Sequence, residues 1–302
     1  MANRIKKGRD ISGILILDKP LNISSNRAVQ IVKRLYGAKK VGHTGSLDPL
    51  ASGVLPICLG HATKVSQYLL ASDKTYLFTM KLGETTSTGD MEGDVVQRKP
   101  LPDLSSVDIS ALLNEFMGVI QQVPPMYSAL KHNGQRLYAL ARAGKTVERS
   151  SREVTIKSLT LESITADSLT LQVCCTKGTY VRTLAEDLGE ALGCGAHVTF
   201  LRRIRTGSFE LELSMSIEQL EAVAGDYKAL DEFLQPLDMA LHNYPVITCS
   251  DKSKSDLCLG RQVCIEGLSE ASLIRLNDMD GNIFGLGKWV ADKQLAPVRI
   301  FV

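Results

Sequence analysis

Val41-Gly42-His43-Thr44-Gly45-Ser46-Leu47-Asp48-Pro49-Leu50-Ala51-Ser52-Gly53-Val54-Leu55-Pro56 is too rich in glycine, proline and small polar residues for a helix or a regular strand. It reads as a shaped loop feeding an apolar strand over residues 54–59. Asp48 stands at its centre. Pro49 bars the helical region to the residue before it and offers no amide donor, so one side of the Asp48 backbone is rigid. Such a mount suits a reactive carboxylate, and an ordinary turn aspartate looks the same.

Outward from that loop, residues 13–17 (GILIL) form a buried strand, and the Ser24-Ser25-Asn26 cap opens a helix that Gly37 ends. A short helical pattern covers residues 62–70. Tyr76, Phe78, Met80 and Leu82 alternate as the apolar face of a strand. Residues 84–94 form an acidic loop, and Ser106 is expected to cap a helix reaching Phe116. Residues 124–151 form an excursion, with a short strand at 127–130 and a helical pattern at 136–143. Strands at 154–164 and 168–175 precede a helix that Thr179 is expected to cap and Gly193 to end. Residues 198–204 return to the sheet, and Ser216 with Gln219 spells a capping box. From Pro245 onward, short strands at 273–276, 288–291 and 298–302 suggest a small appended barrel. Helices and strands intersperse without a regular strand-helix-strand period, so the fold class is α+β.

The 302 residues carry 35 Lys+Arg against 33 Asp+Glu, a net charge of +2 that names no partner by itself. Its distribution says more. Residues 131–157 hold seven basic side chains, Lys131, Arg136, Arg142, Lys145, Arg149, Arg152 and Lys157, against Glu148 and Glu153. Such a field suits a phosphate backbone, or a solvated helix and hairpin. The basic head Arg4, Lys6, Lys7 and Arg9 could touch RNA or fray. Seven cysteines without a C-x-x-C pair suggest reduced thiols and no metal site. No apolar run approaches a membrane span.

Three residues can be joined to Asp48. Arg182 sits in the first turn of its helix, where a cation opposes the macrodipole. An anionic neighbour would explain it, and Asp48 held bidentately would stay ionised despite burial; snorkelling across the sheet is the other explanation. Tyr76 could stack on a base or be a core tyrosine. His43 could enter a nucleic-acid stack or be a polar loop residue.

Six stretches in order, GILILDKP at 13–20, the loop at 41–56, Lys74-Thr75-Tyr76, TSTGDMEGD at 86–94, VPPMYSALK at 123–131 and KGTYVRT at 177–183, resemble the TruB family of bacterial tRNA pseudouridine-55 synthases. The resemblance implies a mixed, mainly antiparallel sheet with flanking helices in a catalytic domain at 1–245, with an RNA-gripping insertion at about 124–152. It also implies a small PUA-like β domain at 246–302. Asp48 then matches the catalytic aspartate, Tyr76 the tyrosine that stacks on uracil, and Arg182 the partner of the aspartate. Leu201 matches an apolar pocket residue, His43 the residue that fills the space the flipped base leaves, and Lys19-Pro20 a supporting motif that lines the site. The implied substrate is the T-arm of tRNA, with no cofactor, no metal, no obligatory protein partner, a monomeric state and a cytoplasmic location.

The reaction exchanges an N1–C1′ bond for a C5–C1′ bond without redox change. A carboxylate could attack uracil C6, attack C1′, or remove the C2′ proton. Two other functions fit parts of the pattern: a non-catalytic tRNA-binding or folding module, and a nucleoside hydrolase using Asp90 or Glu92 as acid partner.

Overall fold

The computed structural model describes residues 8–265, 273–291 and 293–301, so Arg4, Lys6 and Lys7 lie outside the described residues. A ten-stranded sheet forms the body. Its main path runs Leu234–Gln235, Gly13–Lys19, Ala51–Leu59, Ala196–Thr206, Lys74–Leu82, Ser168–Cys175, Arg152–Ile164 and Gly118–Gln122. The neighbours pair antiparallel except Ala196–Thr206 with Ala51–Leu59, which run parallel. The expected mixed, mainly antiparallel α+β sheet is what the chain forms.

Gly13–Lys19 and Ala51–Leu59 are apolar along nearly their whole length because both faces of the sheet are covered there. Alternation sends Leu15, Leu17, Leu55 and Ile57 to the larger core with Ala28, Val32 and Leu184 of the flanking helices. The opposite parity, Ile14, Ile16, Val54 and Cys58, meets Leu69 and Phe209. Helix Ser25–Leu35 starts where the Ser24 side chain accepts from the Arg27 amide, and the Ser216 and Gln219 capping box forms reciprocally.

Several local expectations are corrected. Ala51–Leu59 begins three residues earlier than expected, and its parallel register sets Leu201 opposite Ala51 and Arg203 opposite Gly53. Gly53 has φ +102°, and a Cβ there would lie 2.1 Å from the Arg203 carbonyl oxygen, so this crossing requires glycine. Asp108, not Ser106, caps helix Ile109–Glu115, accepting from the Ala111 amide. Thr179 caps nothing: its hydroxyl donates back to Thr176 O, and helix Val181–Ala191 starts after Tyr180 without a side-chain cap. Residues 127–130 form no strand, with bends at 126–129; the hairpin strands are Lys131–His132 and Gln135–Arg136, joined through Asn133 and Gly134 at positive φ.

A second, five-stranded sheet runs Val246–Thr248, Ile274–Asn277, Ile283–Ala291, Gln294–Ile300 and Val263–Cys264. It is the small C-terminal β unit expected. Leu286 and Phe301 pack against Val65 and Leu241, and Arg275 Nε donates to Tyr244 O at 3.0 Å, tying it to the body.

Candidate active site

The Asp48 turn is held from three sides. Ser25 Oγ accepts from the Leu47 amide at 2.7 Å and donates to Leu47 O at 3.0 Å. The Asn22 amide donates to Pro49 O, and the Ala51 amide closes the turn on Asp48 O. Serine from the first helix thus locks the residue before the carboxylate.

Arg182, near the start of its helix and 4 % exposed, reaches back to this turn. Nη2 pairs with Asp48 Oδ2 at 2.9 Å and donates to Tyr127 O at 2.7 Å. Nη1 donates to Asp90 Oδ2 at 3.1 Å and to Thr88 O at 2.9 Å. The expected bidentate grip on Asp48 is therefore absent: the guanidinium is divided between two carboxylates. Asp90 is fixed in turn by the Thr88 hydroxyl and the Glu92 amide, both on Oδ1, and its loop is pinned to the sheet where Met91 donates to Val198 O and Val198 to Gly89 O. Asp48 keeps 43 % of its side chain exposed, so it is the member of the trio open to a ligand.

Two cavities meet at Asp48 and Arg182. One, of about 620 Å³, is lined by Tyr76, Leu201, Arg203, Lys74, Arg152 and Tyr180 besides Asp48 and Arg182. The other, of about 540 Å³, is lined by His43, Glu92, Tyr138, Lys131, Arg136 and Arg142, again with Asp48 and Arg182. Tyr76 and His43 thus line different cavities, and Asp48 lines both. Lys19 and Pro20 line neither. Lys19 is fully buried, and its amine donates to Pro20 O at 2.7 Å and Ile23 O at 2.8 Å, tying the turn that precedes the first helix. Lys145 and Arg149 also line neither cavity; Arg149 donates to Pro124 O at the root of the excursion.

Burial raises the Asp48 carboxyl above its ordinary value of 3.8, with Arg182 and Lys19 opposing the rise and Asp90 adding to it. Burial also raises Tyr76, which the Arg203 guanidinium beside its hydroxyl partly offsets. The Lys19 and Lys74 amines fall to about 8 through burial. Burial and Arg203 lower His43, which favours its neutral ring. An ionised carboxylate beside a guanidinium, an aromatic wall and an apolar wall can attack or deprotonate a planar ring compound held out of water.

The sequence candidates omit Arg203, Lys74 and Ser25. Arg203 carried a signal, since a spacing of two from Leu201 on one strand puts both on one face. Lys74 and Ser25 stand in stretches the sequence singles out, but the pattern does not show their contacts: Ser25 with the Leu47 backbone, and Lys74 with the carbonyls of Leu70 and Ser72.

The TruB family pseudouridylate synthase N-terminal domain matches residues 33–181, and the tRNA pseudouridylate synthase B C-terminal domain matches residues 182–242. The chain is 49 % identical over 294 residues to tRNA pseudouridine synthase B of Ectopseudomonas mendocina (strain ymp), covering 97 % of this chain and 96 % of that protein. It is 48 % identical over 302 residues to the protein of the same name from Stutzerimonas stutzeri (strain A1501), covering 99 % of each. A chain in the crystal structure of a Cbf5-Nop10-Gar1 complex matches with a TM-score of 0.73 at 26 % identity, over 96 % of this chain and 85 % of that one. With such identity along nearly the full length, the chain belongs to the TruB family of pseudouridylate synthases.

Proposed function

We propose that this protein isomerises the T-loop uridine of tRNA, position 55, to pseudouridine, with Asp48 as nucleophile or base. The observation that carries the reading is Asp48 resting on Arg182 at the junction of two cavities, one walled by Tyr76 and Leu201. A uracil everted into that cavity stacks on Tyr76, and detachment and rotation proceed shielded from water. His43, in the adjoining cavity, takes the place the base leaves in the RNA stack. Everting a base costs a few kcal/mol, which these contacts and the phosphates bound by Lys131, Arg136, Arg142 and Arg152 offset. The net change is one N1–C1′ bond for one C5–C1′ bond, with a proton lost from C5 and one gained at N1.

In this reading residues 1–245 form the catalytic domain, 124–152 grip the RNA, and 246–302 form an accessory RNA-binding domain. We read the protein as a monomer, and tRNA as substrate favours the cytoplasm. Of the two acids a hydrolase could use, Asp90 is committed to Arg182 and Thr88, while Glu92 lines the cavity with His43 and Asp48, so the product separates the two reactions. The test is a T-arm hairpin incubated with the protein and mapped at single-nucleotide resolution. Pseudouridine at the T-loop uridine with unchanged mass supports the reading; free uracil supports hydrolysis, and unmodified RNA supports a folding module.

A further inference from the structure

Arg203 is a buried cation with no carboxylate. It is 1 % exposed, and its Nε donates to Val54 O at 2.7 Å and its Nη2 to Gly45 O at 3.2 Å. The Tyr76 hydroxyl lies beside the guanidinium. Among the described residues no acid pairs with it, whereas Arg182 already holds two. Lys74, buried in the same cavity wall, likewise donates only to carbonyls, those of Leu70 and Ser72. Burying a cation without an anion is costly, and carbonyl dipoles offset only part of that cost. The Tyr76 and Leu201 cavity therefore has positive charge in its wall that the protein's own acids leave unbalanced.

An anion supplied by the reaction would balance it. When the N1–C1′ bond breaks, its electron pair passes to the uracil ring and spreads over N1, O2 and O4. The deficit at C1′ is met by the Asp48 carboxylate or by loss of the C2′ proton. The turned ring then bonds C1′ through C5 as the sugar releases the Asp48 carboxylate or regains its C2′ proton; the C5 proton departs and N1 takes one up. We propose that Arg203 stabilises the negative charge on the detached uracil, a role that rests on the function proposed above. The phosphates of the everted nucleotide stay on the polymer, nearer the exposed Lys177 and half-buried Arg152 of the same cavity, so the ring is the group that reaches Arg203.

The test compares wild type, Arg203→Lys and Arg203→Met in single-turnover reactions on two T-arm hairpins, one with uridine and one with 5-fluorouridine at the target. Fluorine stabilises the ring anion by itself and so reduces the need for a cation. Glycosidic rearrangement is read by nuclease digestion and chromatography, binding by filter retention. Arg203→Met is expected to slow uridine rearrangement about 10²–10³-fold with binding retained, Arg203→Lys less so. With 5-fluorouridine each loss is expected to shrink about tenfold or more. Equal losses on both hairpins would make Arg203 a structural tie for the Gly45 turn and overturn the proposal. Weakened binding with an unchanged single-turnover rate would make it a phosphate contact and overturn it as well. The lysine variant supplies the same comparison if Arg203→Met does not fold. Wild type that makes no pseudouridine on the uridine hairpin would instead overturn the proposed function, and this role with it.

Discussion

Arg182 Nη1 and Asp90 Oδ2 meet at 3.1 Å with side chains 4 % and 3 % exposed, and this buried pair fixes the guanidinium on which Asp48 rests. Removing the cation strands one buried and one half-buried carboxylate. Arg182→Met is expected to abolish turnover, leave tRNA binding little changed and cost about 3 kcal/mol of stability. Arg182→Lys keeps the charge, but one ammonium cannot reproduce the planar fork that spans both acids, so single-turnover rates are expected to fall about 100-fold or more with the fold retained. Collapsed tRNA binding in either folded variant would make Arg182 a phosphate contact.

The Asp48 carboxyl lies above 3.8 because the cleft walls desolvate it more than Arg182 compensates. In the proposed reaction the reactive form of Asp48 is the carboxylate, so activity is expected to be lost as pH falls through that raised value. A pH profile of kcat/KM on a hairpin substrate should show an acid limb of unit slope with its midpoint above 3.8, and a limb below it contradicts the assignment.

Lys74 is the cleaner probe of burial. Its folded pKa of about 8 lies below the ordinary 10.5, so the folded state loses its proton while the unfolded chain still holds one. The penalty for burying the charge is complete below about 8 and fades as pH rises toward 10.5, so stability from this site increases across that window. Thermal denaturation of wild type and Lys74→Met should show wild type gaining Tm relative to the variant between those values. A constant difference would place the amine in water.

Lys131, Arg136 and Arg142 are exposed and line the His43 cavity, whereas Lys145 lines neither cavity. Replacing Lys131 or Arg142 by alanine should lower the slope of log Kd against log salt by about 1 and leave the saturated single-turnover rate unchanged. Lys145→Ala should move the slope less. Equal effects at all three would mean a diffuse field rather than a lined groove.

How much of this was legible beforehand follows the range of the interactions. The buried strand at residues 13–17, the alternation at 76–82, the Ser24 cap and the Ser216 box are local, and the chain forms them as read. A cation at a helix N-terminus pointed to an anionic neighbour or to snorkelling, and the family resemblance selected Asp48 as the partner of Arg182. The division of Arg182 with Asp90 was not legible, because the Asp90 loop reaches Arg182 only after Gly89 and Met91 dock on Val198, a contact across more than a hundred residues. The placement of His43 and Tyr76 in different cavities rests on the sheet order: Val41–His43 lies beside Ala51–Leu59, and Lys74–Leu82 beyond Ala196–Thr206. The false caps at Ser106 and Thr179 came from reading hydroxyls as caps where a nearby aspartate or a turn carbonyl took precedence.

The most direct test of the account is hydrogen release from C5 of labelled uridine in tRNA by Asp48→Asn, measured alongside tRNA binding. The account predicts binding close to wild type and no release above background. Release at a rate near wild type would show that Asp48 is not the reactive group.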